Sequence, residues 1–478
     1  MMLMPRSWSP MDPILPLRAP PTDPFYQGLD HASRLYIHHY ATKLCSDMAI
    51  SDITDTINPF RDVVPLCRDH PILLHTITAN AAFHISDLHR RGLCLARSDS
   101  AAGTIQHYAS NHTFSRAEID ALSAKQKALV LLRRALGNIA DIDVDLTVTV
   151  IHLFIISELI SPCQDGWMAH VQGALRLISC YQSLESCPTS PAAFIRDSVT
   201  SDCLTYYVLG STLMNTSTLS LSNPFIFSSD IIASLTRAEA NSYLSLPTPL
   251  LQILFEACEL SNLVALSTML DIPDSHSDSD SDSNLIQFQT RARALLHATA
   301  AFNVNAWAAS LEGTSTSLRT TSRIHTALAH QNAVKIYICR AVDVGTNTTS
   351  PSSSSMLLGE DPNRLVTNII THLSLVPPSD PIFKATSWPT FIAGAETDNP
   401  VYRRWAAERL DEFWNLIPWG YVRTAGEVMR TTWRLRDEAS GGEGDGGGGG
   451  GLSGNGKRRG RGSWVQQLKG LERYWLIA

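Results

Sequence analysis

The stretch SWPTFIAGAETDNPVYRRWAAERLDEF, residues 387–413, joins an apolar segment to a charged amphipathic one. Trp388, Phe391 and Ile392 recur at helical spacing, and small residues follow them. The sequence 398–400, Asp-Asn-Pro, is a turn signal between the two segments. We therefore expect two helices joined by a turn, with the three large side chains anchoring the C-terminal helices in a core.

Helical periodicity also dominates the rest of the chain, whereas strand-like alternation is scarce and no hairpin signal joins two alternating runs. The segment 144–160 is apolar nearly all round, which predicts a central helix. Gly92 is expected to end the helix that begins at Pro71. The sequence predicts an all-α fold of packed helical hairpins forming one large domain. The predicted helices are 29–47, 71–90, 117–137, 144–160, 167–181, 192–213, 249–270, 285–311, 317–342 and 363–375.

Low-complexity segments interrupt this pattern, and the helical periodicity resumes after each of them. We interpret them as insertions at connections between helices, because biased polar or glycine-rich segments cannot bury enough apolar surface to fold. The predicted organisation is a disordered proline-rich tail (1–25), a helical domain (26–437) with an acidic Ser/Asp linker (274–284) and a Thr/Ser-rich loop (345–355), a glycine-rich basic flexible insertion (438–463), and a C-terminal helix of the same domain (464–478).

Composition and charge limit the classes of function. The chain has 478 residues, a net charge of −7 and nine cysteines. An acidic chain does not by itself neutralise DNA phosphates. The cysteines are scattered and include no CxxC pair, so we expect buried free thiols in a reducing compartment and no zinc or other cofactor. Prolines interrupt the N-terminus, and the apolar run 144–160 is shorter than the ~20 residues that span a bilayer, so no membrane partner is expected.

No catalytic or metal-binding pattern stands out. Zinc sites usually draw on close pairs of Cys or His, and His84 and His89 point to different faces of a helix. The acidic run 141–145 imitates the start of a calcium loop, but its sixth position is Leu146, not glycine. The segment GLSGNGK, 451–457, lacks the Ser or Thr of a phosphate-binding loop. The sequence therefore predicts a protein that is not an enzyme.

The basic residues Lys457, Arg458, Arg459 and Arg461 form a cluster in the glycine-rich segment. Such clusters act as nuclear import signals or contact nucleic acid, and they also occur as solubilising patches in loops. These four residues are the candidate nuclear import signal.

Several blocks resemble, in order, the regulatory domain of fungal zinc-cluster transcription factors. They are LYIHHYATKL (35–44), INPFRDVVPLCRDHPILLHTITANAAFHISDL (57–88), LVLLRRAL (129–136) with the apolar segment 144–160, GWMAHVQGALRLI (166–178), the segment 387–437 and the final segment from Trp464. Trp167, His170 and Gly173 share one helical face, and we interpret them as packing residues, with Gly173 and Ala174 allowing close helix approach.

This resemblance implies a nuclear transcription regulatory protein, controlling a metabolic pathway or a biosynthetic gene cluster. Its expected partners are other transcription regulators or coactivators and a small-molecule effector bound between helices. The family's six-cysteine zinc cluster, with two CxxC pairs, has no counterpart in this sequence, so DNA contact is expected to be indirect. Two alternatives remain: an upstream exon encodes the zinc cluster, or the chain is a helical ligand-binding protein or enzyme.

Overall fold

The structure is a computed structural model that describes residues 24–50, 58–98, 116–138, 143–161, 166–180, 191–214, 227–240, 242–270, 278–311, 317–343, 361–441, 463–471 and 473–478. Within these ranges the chain forms helices and connecting turns and no strand. The predicted all-α class is therefore confirmed.

The helices follow one another with short connections wherever the connection is described. They are α1 (Pro24–Gly28), α2 (His31–His39), α3 (Cys45–Met48), α4 (Pro59–Asp62), α5 (Pro71–Ser98), α6 (Arg116–Leu136), α7 (Val144–Ile160), α8 (Trp167–Cys180), α9 (Pro191–Ser211), α10 (Ser229–Ala238), α11 (Thr248–Leu270), α12 (Asp278–Ala301), α13 (Val304–Ser310), α14 (Ser317–Ala341), α15 (Pro362–Ser374), α16 (Ser387–Glu396), α17 (Pro400–Leu416), α18 (Gly420–Gly441) and α19 (Trp464–Lys469). A π-helical turn (Tyr40–Leu44) joins α2 to α3, and 3-10 turns lie at Val64–Arg68 and Pro381–Thr386.

Helix α7 lies at the centre of the core, as its sequence predicts. Every residue from Thr147 to Ile160 is buried, and α5, α8 and α9 pack around the helix. Asp143 begins it by accepting a hydrogen bond from the Leu146 backbone amide at 3.1 Å, the usual role of an N-cap aspartate.

Three helix boundaries differ from the sequence prediction. Helix α5 continues through Gly92 to Ser98, because a helical glycine costs only about 1 kcal/mol and packing against α6 offsets it. The predicted helix 285–311 is divided into α12 and α13, and the Asn303 side chain caps α13 by accepting from the Ala306 amide at 3.0 Å. The predicted linker 274–284 is wrong from Asp278 onward, where α12 begins; acidic residues are favourable at the N-terminus of a helix.

The ends of the low-complexity segments also shift. Helix α18 extends to Gly441, past the predicted start of the insertion at 438. Helix α19 ends at Lys469, and the residues after it are not helical, so the predicted helix 464–478 is wrong in its second half. Leu476, Ile477 and Ala478 are nevertheless buried and belong to the main hydrophobic core. Residues 1–23, 344–360 and 442–462 lie outside the described ranges.

Residues 387–413 fold as two helices joined by a turn, as their sequence predicts. Trp388, Phe391 and Ile392 of α16 are buried, which confirms their predicted anchoring role. Asn399 starts α17 by accepting from the Val401 amide at 2.9 Å. At the other end of α16, the Glu396 carboxylate accepts hydrogen bonds from Arg340 of α14 and, at 2.9 Å, from the indole Nε1 of Trp464 of α19. A single buried carboxylate thus connects three helices that are far apart in sequence.

Close approach between helices occurs at a different glycine from the one the sequence indicates. A Cβ atom added at Gly173 meets nothing within 4 Å, so the close-packing role predicted for this residue is wrong. A Cβ atom added at Gly210 of α9 overlaps the Trp167 ring, with Cζ3 at 2.7 Å. The Trp167 indole is fixed there by a hydrogen bond from its Nε1 to the Tyr474 carbonyl at 3.1 Å. Trp167 is buried, which confirms its predicted packing role.

Helix α11 includes a segment, Thr248–Ser267, that is long and apolar enough to cross a membrane by length and composition. The core helix of a soluble protein meets the same criterion, and α11 packs against α9, α12 and α14.

Replacing Gly210 by Ala is expected to lower the free energy of unfolding by about 1–3 kcal/mol, because the new methyl group overpacks the fixed Trp167 ring. Gly173→Ala is the matched control on the adjoining helix and is expected to be neutral or to stabilise by up to about 1 kcal/mol. Urea unfolding followed by circular dichroism measures both. Equal effects at the two positions would contradict the packing described here.

Replacing Glu396 by Gln is expected to lower the free energy of unfolding by about 2–3 kcal/mol, because it removes the charge of a buried carboxylate that pairs with the part-buried Arg340 and leaves Arg340 its ion pair with Asp343. Asp437→Asn is the control: it removes a carboxylate that also pairs with an arginine, Arg403, but on the surface. We expect no measurable loss there, since exposed ion pairs contribute little. The same unfolding measurement tests both variants. A loss of stability at Asp437 as large as that at Glu396 would disprove the conclusion that the Glu396 pair is the stabilising one.

Candidate functional site

Four polar side chains meet between α2, α3 and α5, two of them in the interior, with His39 half-buried and Lys43 exposed. His39 and His84 lie 2.9 Å apart, from the Nε2 atom of His39 to the Nδ1 atom of His84. On the other side of the His84 ring, Nε2 lies 3.6 Å from Oδ2 of Asp47, and Lys43 donates to Oδ1 of Asp47 at 3.2 Å. His84 and Asp47 are almost completely buried.

The π-helical turn Tyr40–Leu44 explains how His39 and Asp47 both face α5. In a regular α-helix, residues seven apart lie on the same face, whereas positions 39 and 47 are eight apart. A π turn accommodates one extra residue and restores the alignment across it. Such turns occur frequently at functional sites.

Burial sets the protonation states of this group. Desolvation lowers the pKa of His84 to about 3, and desolvation together with the His84 charge lowers the pKa of His39 to about 4. Desolvation raises the pKa of Asp47, against the charges of Lys43 and Lys384. Lys384 reaches this end of α3 by donating to the carbonyls of Ser46 and Ala49.

A second polar group lies between the N-terminal ends of α16 and α18 and the segment that contains Tyr243. The hydroxyls of Tyr243 and Tyr421 are hydrogen-bonded at 2.8 Å, and both side chains are buried. The Trp419 ring stacks on Tyr243 with centroids 6.0 Å apart. Ser387 interacts with the Tyr421 hydroxyl and donates to the backbone carbonyl of Ala478. This hydrogen bond joins Ala478 to the group.

A third polar group is formed between α7 and α9. His152 Nε2 lies 3.2 Å from Oδ2 of Asp202, and neither side chain reaches the surface. The His152 ring is stacked between Phe60 and Tyr206, with centroid separations of 5.3 and 6.3 Å. Burial raises the pKa of Asp202, while the neighbouring His152 ring acts in the opposite direction.

The three groups are electrostatically connected. The Asp47 charge contributes to raising the pKa of Tyr243, and the Asp202 and Tyr421 charges contribute to raising the pKa of Tyr206, in each case after desolvation. We call the set the central polar core. It comprises His39, Lys43, Asp47, His84, His152, Asp202, Tyr206, Tyr243, Ser387, Trp419 and Tyr421.

Several atoms of the central polar core are buried and make no hydrogen bond with the described part of the chain. They are Oδ2 of Asp47, Nε2 of His84, Nδ1 and Nε2 of His152 and Nε1 of Trp419. More than nine in ten buried polar groups in proteins have a partner, so each exception requires a reason. Groups with shifted pKa values and unsatisfied polar atoms are the usual features of a ligand-binding or functional interior.

The candidate residues named from the sequence lie elsewhere. Lys457, Arg458, Arg459 and Arg461 fall outside the described ranges. His170 stacks on Phe154 with centroids 5.2 Å apart, in agreement with its predicted packing role. Where side chains are described, no group of three or more His, Cys, Asp or Glu could hold a metal ion. Five cysteines are found as buried free thiols: Cys45, Cys67, Cys203, Cys258 and Cys339.

Sequence reasoning did not find the central polar core. Its members are spread from position 39 to position 421, and no sequence motif groups them. The only available signal is the presence of His and Asp in helices that are buried on several sides, such as His152 in α7. That signal shows that a partner must exist but does not identify it.

Residues 34–476 match the fungal specific transcription factor domain, which is nearly the whole chain. The acriflavine sensitivity control protein acr-2 of Neurospora crassa is 33% identical over 433 residues, which cover 90% of this chain and 67% of that protein. No solved structure is significantly similar to the chain. The chain belongs to the fungal specific transcription factor domain family, and its role is that of a regulatory protein of transcription.

Replacing His84 by Gln is expected to weaken the pH dependence of stability. The pKa of His84 is about 3 in the folded chain, against an ordinary value near 6.5. The contribution of His84 to the free energy of unfolding is therefore full above pH 6.5 and is lost as the pH falls toward 3. Between pH 6 and pH 4, His84 takes up about one proton when the wild-type chain unfolds, which changes the free energy of unfolding by about 1.4 kcal/mol per pH unit. The variant lacks this proton uptake.

Unfolding in urea at a series of pH values measures that slope. His38→Gln, at an exposed neighbouring position, is the control and is expected to leave the slope unchanged. Asp47 acts in the opposite direction, since a raised carboxyl pKa stabilises the folded state as the pH falls, and it is present in both variants. An unchanged slope in the His84 variant would show that its pKa is not lowered by burial.

Proposed function

We propose that the chain is a nuclear regulator that acts on gene expression through protein partners and carries out no catalysis. The observation that supports this most directly is the match of one transcription-regulatory domain along residues 34–476. The partners are other transcription regulators or coactivators. Contact with DNA is indirect in this proposal, because the net charge of −7 opposes binding to phosphates.

A tethering experiment tests the proposal. The full chain is fused to a heterologous DNA-binding domain in a fungal reporter strain carrying the matching sites. We expect reporter expression to change relative to the DNA-binding domain alone. A Trp388→Asp variant, which places a charge in the core, is expected to abolish the effect. An unchanged reporter with a stably expressed, folded chain would refute a regulatory role.

We further propose that the central polar core responds to a small-molecule effector. Supporting observations are the unsatisfied atoms of Asp47, His84 and Trp419 and the two uncharged histidines that face each other there. An effector with hydrogen-bond donors and acceptors and an aromatic ring would satisfy these atoms and stack beside Trp419. The relative's name refers to control of acriflavine sensitivity, so planar aromatic cations are the first class to test.

Effector binding can be measured without any gene-expression readout. Acriflavine and related planar cations are titrated into the purified chain, and thermal unfolding is recorded. A ligand at 100 times its dissociation constant stabilises by about 2.7 kcal/mol. We expect Asp47→Asn to reduce this stabilisation, while Asp437→Asn, at the surface, leaves it unchanged. Stabilisation that is equal in the two variants would place the binding elsewhere.

Nuclear import is proposed to depend on the basic cluster. Replacing Lys457, Arg458, Arg459 and Arg461 together by Ala is expected to shift a fluorescently tagged chain from the nucleus to the cytosol, because import signals are read by their charge. The control replaces four exposed arginines on the helices, Arg176, Arg293, Arg364 and Arg404, by Ala. Nuclear accumulation in both variants would refute the assignment, as would its loss in both.

A further inference from the structure

Helix α6 presents an apolar face to solvent. Its five large apolar side chains on that face are between 37% and 52% exposed. We call this face the outer seam. It is formed by Ile119, Leu122, Leu129, Val130 and Leu136.

The opposite face of α6 is the one that packs on α5. That face is composed mainly of alanines: Ala117, Ala121, Ala124 and Ala128, together with Leu132, are buried. The helix therefore buries its small side chains and exposes its large ones, the reverse of an ordinary surface helix. Contiguous exposed apolar surface of this kind marks an interaction site.

The spacing of the outer seam is that of a coiled coil. Positions 119, 122, 126, 129, 133 and 136 alternate steps of three and four, which is the heptad pattern of core positions. Four of the six carry Ile or Leu. The other two are Gln126, near the middle of α6, and Arg133, near its end. A polar residue at such a position specifies register and oligomeric state at some cost in stability.

We propose that the outer seam binds the outer seam of a second copy of this chain, with the two α6 helices antiparallel. A two-fold interface must be complementary to itself. In the antiparallel heptad register Ile119 lies against Leu136 of the second copy, and Leu122 packs on the aliphatic part of Arg133. In a parallel pair the two Arg133 side chains would meet each other, and like charges at that distance repel.

The charges flanking the outer seam favour the same orientation. Arg116, Glu118 and Asp120 lie near the N-terminal end of α6, and Arg133 and Arg134 lie near its C-terminal end. Antiparallel pairing places the two C-terminal arginines of each copy beside the end of the other copy that carries both carboxylates. Within their own chain, Glu118 accepts from Arg90, and Asp120 accepts from Tyr36 and Arg116. The two carboxylates keep 18% and 22% of their side-chain surface exposed. Antiparallel helix dipoles also attract.

The molar mass of the purified full chain, measured by sedimentation equilibrium over a range of concentrations, tests the proposal. We expect a reversible dimer. Replacing Leu122 and Leu129 together by Glu is expected to raise the dissociation constant at least tenfold, because it buries like charges in the seam, with about 1.4 kcal/mol corresponding to each factor of ten. Circular dichroism and the unfolding midpoint verify that the variant is folded, since both positions are exposed in the single chain.

The matched control replaces Leu375 and Val401 by Glu. These side chains are 56% and 65% exposed, Leu375 directly after α15 and Val401 on α17, and their replacement is expected to leave dimerisation unchanged. A wild-type chain that is monomeric at every concentration overturns the proposal. A dimer that survives the Leu122/Leu129 change, or that is equally weakened by the control change, overturns it as well.

Disulfide trapping tests the orientation. A mixture of the Ile119→Cys and Leu136→Cys chains is expected to form a covalent dimer through these two positions, whereas either chain alone is not. Self-coupling of Leu136→Cys at a rate equal to that of the mixture would indicate parallel pairing and contradict the antiparallel arrangement. The wild-type chain, in which the five cysteines that the structure describes are buried, gives the background rate.

Discussion

The enclosure of α7 is the constraint on which the rest of the structure depends. A helix that is apolar on every side must be covered on every side, so its neighbours are arranged around it as a shell. The few polar side chains of α7 must then find partners inside that shell. His152 meets Asp202 of α9, Ser157 donates to Asn80 of α5, and Glu158 accepts from Lys125 of α6 at 2.5 Å. Each of these contacts fixes the position of a different neighbouring helix.

The same rule extends outward from the centre. A buried carboxylate or histidine is acceptable in an apolar interior only if a partner lies beside it or if it remains uncharged. Glu396 meets the first condition through Arg340 and Trp464, and His39 and His84 meet the second. The central polar core meets these conditions incompletely, because atoms of Asp47, His84, His152 and Trp419 make no hydrogen bond in the described chain. Some ion-paired residues elsewhere share this feature, such as Asp87 at Oδ2 and Glu158 at Oε2.

Helix α6 shows that one sequence pattern can serve two surfaces. Its alanine face allows α5 to approach closely, and its outer seam carries the side chains that would provide most of the hydrophobic free energy of association. Helix α5 contributes His84 to the central polar core, and it also supports α6, which carries the outer seam. Effector binding in the core would therefore be coupled to dimerisation through the seam only if that binding shifts the position of α5. The two sites are therefore connected through a single helix.

The sequence alone determined the helical class, the central position of α7 and the anchoring of Trp388, Phe391 and Ile392, because these follow from local periodicity and from the amount of apolar surface each segment must bury. It also indicated the family, through the order of its blocks. Only the tertiary structure decided which glycine allows close approach, since Gly173 and Gly210 look alike in sequence and differ in what lies opposite. The partners of His84 and Glu396 were likewise settled only by folding, because contacts between residues 37 and 68 positions apart leave no local pattern.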